Sequence, residues 1–114
     1  MREFLHIDDL ARAVVFCLDQ YDEYEHINCG AGSEVSIRTL AEIVARVVGY
    51  RGKIVFDATK PDGTPRKLMD SSRIAALGWK PEISLEEGIA STYRWYVTEL
   101  AAAAASPQRD WERA

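Results

Sequence analysis

The sequence predicts an α/β fold, and three observations predict it. Short β-branched or aromatic runs alternate with stretches whose apolar residues recur every three or four positions. The helical stretches carry their own start and stop signals, above all the Ser84–Glu87 capping box and Gly49. The composition is that of one ordinary globular domain: 114 residues, 47% hydrophobic and 28% charged.

The elements follow in order. Arg2–Ile7 (REFLHI) alternates polar and apolar residues and predicts a short strand. Asp8 then stands where an N-cap belongs, before a helix ending near Gln20. Leu10, Ala13, Val14, Cys17 and Leu18 form its apolar face, and Val15 and Phe16 widen it, so this helix wants two neighbours. Tyr21–Glu25 is an acidic connector, His26–Cys29 a short strand, and Gly30–Gly32 a turn. Ser36 caps a second helix with a stripe of Ile37, Leu40, Ala41, Val44, Val47 and Val48, and Gly49 stops it. Lys53–Asp57 (KIVFD) carries the strongest strand pattern in the chain. Pro61, Asp62 and Gly63 suit a type I turn, and Pro65 extends Thr64. Leu68–Asp70 extends again; Ser71 or Ser72 then opens a short helix through Leu77, closed by Gly78. Ser84 and Glu87 open the last helix, which the alanines from Ala101 to Ala105 prolong by propensity. Residues 106–114 read as a solvated tail.

Composition excludes several functions. A net charge of −4 argues against a broad nucleic-acid surface. No apolar run approaches the ~20 residues needed to span a bilayer, and Met1–Glu3 resembles no signal peptide, so a cytoplasmic protein is expected. Cys17 and Cys29 form no metal-binding spacing and are expected to be reduced core residues, with no metal bound.

The motifs point one way. Gly30-Ala31-Gly32 lies between a strand and a helix, but Val35 occupies the position of the third glycine in a dinucleotide-binding turn, so a tight left-handed turn is expected. No Tyr-x-x-x-Lys pair occurs, and neither His6 nor His26 stands in a nucleophile–base pattern, so the chain looks chemically incomplete. Between residues 51 and 67, however, Arg51, Lys53, Lys60, Arg66 and Lys67 face only Asp57 and Asp62. This local excess of three positive charges sits on a proline-bracketed loop and suits a diphosphate, with Asp62 able to accept from a pair of sugar hydroxyls. The alternative is a merely solvated loop.

Two stretches carry a resemblance. Met1–Asp9 (MREFLHIDD) resembles a segment of extended short-chain dehydrogenase/reductases that act on nucleotide sugars. Lys60–Leu68 (KPDGTPRKL), with Leu77-Gly78-Trp79 and Ile83–Glu86 behind it, is similar to the GDP-L-fucose synthase family, and the similarity runs from Met1 to about Leu100. The resemblance implies the small C-terminal substrate domain of such an enzyme, residues 1–100, without the Rossmann domain. Residues 1–30 would pack on that missing domain, and residues 101–114 would form a helical extension and tail. The implied reaction turns GDP-4-keto-6-deoxy-D-mannose into GDP-L-fucose with NADPH, epimerising C3 and C5 and reducing C4. Arg2, Asp62 and Lys67 match substrate-contacting positions; Arg66 joins them on charge and proximity. The family's NADP turn and its catalytic Ser/Tyr/Lys set match nothing here, and Cys17, Cys29, His6 and His26 are not its epimerisation pair. The chain alone is therefore expected to bind no NADPH and to be inactive. Its expected partners are the GDP-sugar, the missing Rossmann domain and a second copy, because the first helix would otherwise leave an apolar face exposed. The alternatives are part of another nucleotide-sugar epimerase or dehydratase, or a non-catalytic α/β binding module.

Overall fold

The computed structural model describes residues 1–105; the tail expected at residues 106–114 lies outside them. Four helices carry the architecture: α1 (Ile7–Gln20), α2 (Ile37–Val48), α3 (Ser72–Ala76) and α4 (Leu85–Ala105). Each begins where its local signals place it, with one shift. The N-cap of α1 is His6, not Asp8: the His6 ring Nδ1 accepts from the Asp8 amide at 3.1 Å. That moves Asp8 and Asp9 into the first turn, where negative charge suits the helix dipole. Ser36 caps α2 by accepting from the Thr39 amide at 3.0 Å, and Gly49 ends it in the left-handed region at φ 74°. At α4 the Ser84 hydroxyl donates to Glu87 at 2.6 Å, and the Ser84 amide donates to the same carboxylate at 3.2 Å.

The expected strands do not form a sheet. Among the described residues, β pairing is limited to isolated bridges from Arg2 to Val35 and to Lys67. Arg2–Ile7, His26–Cys29, Lys53–Asp57 and Leu68–Asp70 each lack the partner strand that turns an extended segment into a ladder. The described chain is thus largely helical, as a small substrate domain without a Rossmann fold is. In Lys53–Asp57, Val55 remains exposed, and Phe56 instead receives the Arg38 guanidinium 4.0 Å above its ring. The turn expected at Pro61–Gly63 sits earlier, at Ala58–Thr59, where the Asp57 carboxylate accepts from the Thr59 amide at 2.9 Å and its hydroxyl at 2.6 Å.

The core is small. Ala13, Ile74 and Trp79 are buried, with Leu5, Phe16, Cys17, Ile27 and Cys29 packed around them. Phe16 therefore turns inward, whereas Val14, Val15 and Leu18 leave the outer face of α1 apolar and exposed. The buried Asp9 joins α1 to the start of α4 by accepting from the amides of Glu82 (3.2 Å) and Ile83 (3.0 Å) and from the Arg12 guanidinium. Burial pushes the Asp9 carboxyl up, but these donors outweigh it and hold the group below its ordinary value. Because His6 Nδ1 accepts, Nε2 carries the proton; it donates to the Ser91 hydroxyl at 3.0 Å, which donates on to the Gly88 carbonyl at 2.9 Å. α2 packs on α4, and Arg46 grips Glu86 through two nitrogens at 3.0 and 2.9 Å. An open apolar groove of about 430 Å³ runs between these helices, and none of the four candidate site residues lines it.

Candidate functional site

The proline-bracketed loop is rigid at its edges. Pro61 and Pro65 fix their own φ angles, and the loop's backbone groups are then claimed by distant residues. Arg2 is one of these residues, beside Met1, whose amine donates to the Pro65 carbonyl at 2.7 Å. The Arg2 backbone exchanges two 2.9 Å hydrogen bonds with Val35, while its Nη1 donates to the carbonyls of Thr64 at 2.6 Å and Met1 at 2.7 Å. Nη2 lies over Gly63, where a Cβ would stand 3.2 Å away, so a glycine there lets the guanidinium approach the loop. Arg2 is thus half-buried beside the loop, with one nitrogen holding its backbone.

Arg66 is held from the opposite side. Its Nε donates to the Glu34 carboxylate at 2.9 Å, and the side chain remains mostly exposed. Arg66 also lines an open groove of about 660 Å³ with Gly32, Met69, Asp70 and Ser71. The Ser71 hydroxyl in this groove is buried and has no hydrogen-bonding partner among the described residues. The Asp70 carboxyl is held below its usual value by its hydrogen bonds from Ser72. Asp62 and Lys67 are exposed, and neither side chain has a hydrogen-bonding partner among the described residues. The fold therefore brings Arg2 and residues 63–67 together, directs Arg66 to Glu34, and leaves Asp62 and Lys67 unengaged.

The Gly30–Gly32 turn has the left-handed φ expected of it, 71° at Gly32. Its amide does not face an open phosphate cradle. Gly32 N–H donates at 2.8 Å to Glu3, a carboxylate that would repel a pyrophosphate, and Val35 is paired with Arg2. The turn does not fit the phosphates of NADP. The cysteines behave as core residues: burial and the neighbouring Cys17 push the Cys29 thiol up, away from a reactive thiolate. No group of three or more metal-ligating side chains occurs among the described residues, and none of their helices is long and apolar enough to cross a membrane.

Glu3 and Glu34 carry no signal in the sequence. A lone acid in an alternating segment and another after a glycine turn look like solvated charges. Only Gly30 hints at Glu3, since a Cβ there would stand 2.5 Å from its carboxylate.

No family model matches the chain. Comparison with curated proteins is decisive: the chain is 62% identical over 100 residues to GDP-L-fucose synthase 1 of Arabidopsis thaliana, covering 88% of this chain and 31% of that protein. The chain matches the C-terminal portion of GDP-L-fucose synthases. It spans only 30–31% of the length of the first curated relatives it matches. Two solved structures share the fold. A GDP-6-OMe-4-keto-L-xylo-heptose reductase from C. jejuni superposes with a TM-score of 0.80 at 40% identity, covering 86% of this chain and 31% of that one. A GDP-mannoheptose C4 reductase from Campylobacter jejuni with NADP bound does so with a TM-score of 0.75 at 39% identity, covering 84% and 31%.

Proposed function

We propose that this chain is the GDP-sugar-binding portion of an NADPH-dependent enzyme of the GDP-L-fucose synthase type. Such an enzyme turns GDP-4-keto-6-deoxy-D-mannose into GDP-L-fucose by epimerising C3 and C5 and reducing C4. The observation that carries the reading is Arg2, whose guanidinium reaches 62 positions along the sequence to hold the basic loop at Thr64. A loop fixed in this way presents Arg66 and Lys67 with little further ordering to pay for when a diphosphate arrives. Arg2, Arg66 and Lys67 neutralise the diphosphate, and Asp62 accepts from hydroxyls of the nucleotide sugar.

NADPH supplies the hydride for the C4 step; the Gly30–Gly32 turn does not fit that cofactor, and its site is assigned to another part of the enzyme. The role of this portion is to bind and orient the keto-sugar. The exposed face of α1, with Val14, Val15 and Leu18, is the surface on which that other part packs. In its absence the same face drives self-association. The protein works in the cytoplasm.

A thermal melt with and without millimolar GDP-L-fucose tests the assignment, with UDP-galactose as control. Ligand at about 100 times its dissociation constant adds about 2.7 kcal/mol. A rise in midpoint specific to the GDP-sugar is expected. An equal rise with both sugars would favour another nucleotide-sugar enzyme, and no rise on a cooperative melt would refute a formed site in this chain.

A further inference from the structure

The Gly30–Val35 turn is not a phosphate cradle, yet it is built with care around the candidate loop. Two of its residues reach to that loop or to Arg2, and a third to Glu3: Val35 pairs with the Arg2 backbone, Glu34 accepts from Arg66, and Gly32 donates to Glu3. Glu3 completes the arrangement. Its Oε1 accepts from Gly32 N–H at 2.8 Å, and its Oε2 accepts from Met69 N–H at 3.2 Å, two residues past Lys67. One carboxylate thereby bridges the turn to the C-terminal stem of the basic loop, and it follows Arg2 directly in the chain.

We propose that Glu3 is a positioning residue for the diphosphate site, clamping the stem of the 60–67 loop onto the Gly30–Gly32 turn so that the segment carrying Arg66 and Lys67 is held beside Arg2. The inference rests on the reading of that loop as the GDP-sugar site. Gly30 is part of the same device. It is buried, and an alanine Cβ would stand 2.5–2.7 Å from the atoms of the Glu3 carboxyl group, so only glycine lets the clamp close. The charge of Glu3 cannot itself attract a diphosphate; its contribution comes through reach and geometry, with both oxygens committed to amides.

Reach and charge can be separated. Glu3→Asp keeps the charge but is one methylene too short to span both amides, whereas Glu3→Gln keeps the length and loses the charge and one acceptor. GDP affinity is measured by calorimetry on the full chain, at a temperature where each variant is folded, alongside hydrogen exchange at Gly32 and Met69. The clamp predicts that Glu3→Asp, Glu3→Gln and Gly30→Ala each weaken GDP binding about tenfold, roughly the worth of one hydrogen bond to a charged group, and speed exchange at both amides. Should Gly30→Ala fail to fold, the two Glu3 variants carry the test. Faster exchange with GDP affinity unchanged would overturn the proposal and leave Glu3 a purely structural tie. Tighter binding by Glu3→Gln with Glu3→Asp unchanged would overturn it in favour of simple charge repulsion. If the unaltered chain does not bind GDP, the site reading falls and the proposal with it; if it binds and only the clamp variants are silent, the proposal alone falls.

Discussion

Replacing Asp9 with alanine removes one carboxylate that serves three donors at once. The amides of Glu82 and Ile83 lose their acceptor in a partly buried place, and each group left unsatisfied costs about 1–3 kcal/mol. Arg12 loses less, because it is partly exposed and keeps its 3.0 Å contact with Glu82. The sum is about 3–5 kcal/mol, most of it from the two amides left without an acceptor. With only Ala13, Ile74 and Trp79 forming the buried apolar core among the described residues, that is a large share of the whole stability. Urea unfolding at pH 7 should therefore show a fall of about 3 kcal/mol or more, with loss of a cooperative transition as the extreme. The pH dependence provides a second reading. The folded-state carboxyl of Asp9 lies below its ordinary value, so its stabilisation is present above about pH 4, the unfolded value, and is lost as pH falls through the folded one. Stability of the unaltered chain should decline on acidification through that window, and Asp9→Asn should flatten the decline. A loss below about 1 kcal/mol for Asp9→Ala would refute the reasoning, because the two amides would then have found water or another acceptor.

Other perturbations test separate parts of the structure. Asp62→Ala in a complete enzyme should weaken GDP-sugar binding about tenfold and leave NADPH affinity intact; steady-state kinetics with each substrate varied would expose an equal loss in both, which counts against the assignment. Val15 and Leu18 are 58% and 80% exposed on α1, so Val15→Glu with Leu18→Glu should convert a self-associating chain into a monomer in sedimentation velocity. If the unaltered chain is already a sharply melting monomer at high concentration, the exposed face does not drive association. Gly49→Ala meets no neighbour within 4 Å but must hold φ 74°, so it should cost about 1–2 kcal/mol in a thermal melt through backbone strain alone.

All four helices were legible because their signals are local. Ser36, Gly49 and the Ser84–Glu87 box each act within one turn of the residues they cap, and the chain obeys them. The one misplaced cap, Asp8 for His6, comes from a residue that rarely caps and does so here because its other nitrogen is already bound to Ser91. Strands are a different kind of statement. KIVFD has the right residues, but a strand exists only with a partner, and among residues 1–105 none aligns with it; Arg38 covers Phe56 instead.

The candidate site divides along the same line. Charge and loop chemistry are local, so the sequence shows a basic block of five residues around Asp62, and the family resemblance narrows it to Asp62 and Lys67, with Arg66 added on charge and proximity. The contacts that give the loop a shape are not local: Arg2 to Thr64, Glu3 to Met69 and Glu34 to Arg66 each join residues more than thirty positions apart. The sequence consequently names the groups that could meet a diphosphate without naming those that aim them. Two acids stand behind the basic residues, against the simple expectation that an anion site excludes negative charge. A carboxylate fully committed to amides or to a guanidinium Nε is a structural strut whose charge is partly satisfied, and the Glu34 contact engages only Nε of Arg66, whose side chain stays mostly exposed. On that argument the acids set geometry while the bases set affinity, and substitutions at Glu3 and at Arg66 should differ in kind. Arg66→Ala should steepen no structural exchange and should lower the salt dependence of GDP binding, while Glu3→Asp should loosen the loop and leave the salt dependence nearly as it was.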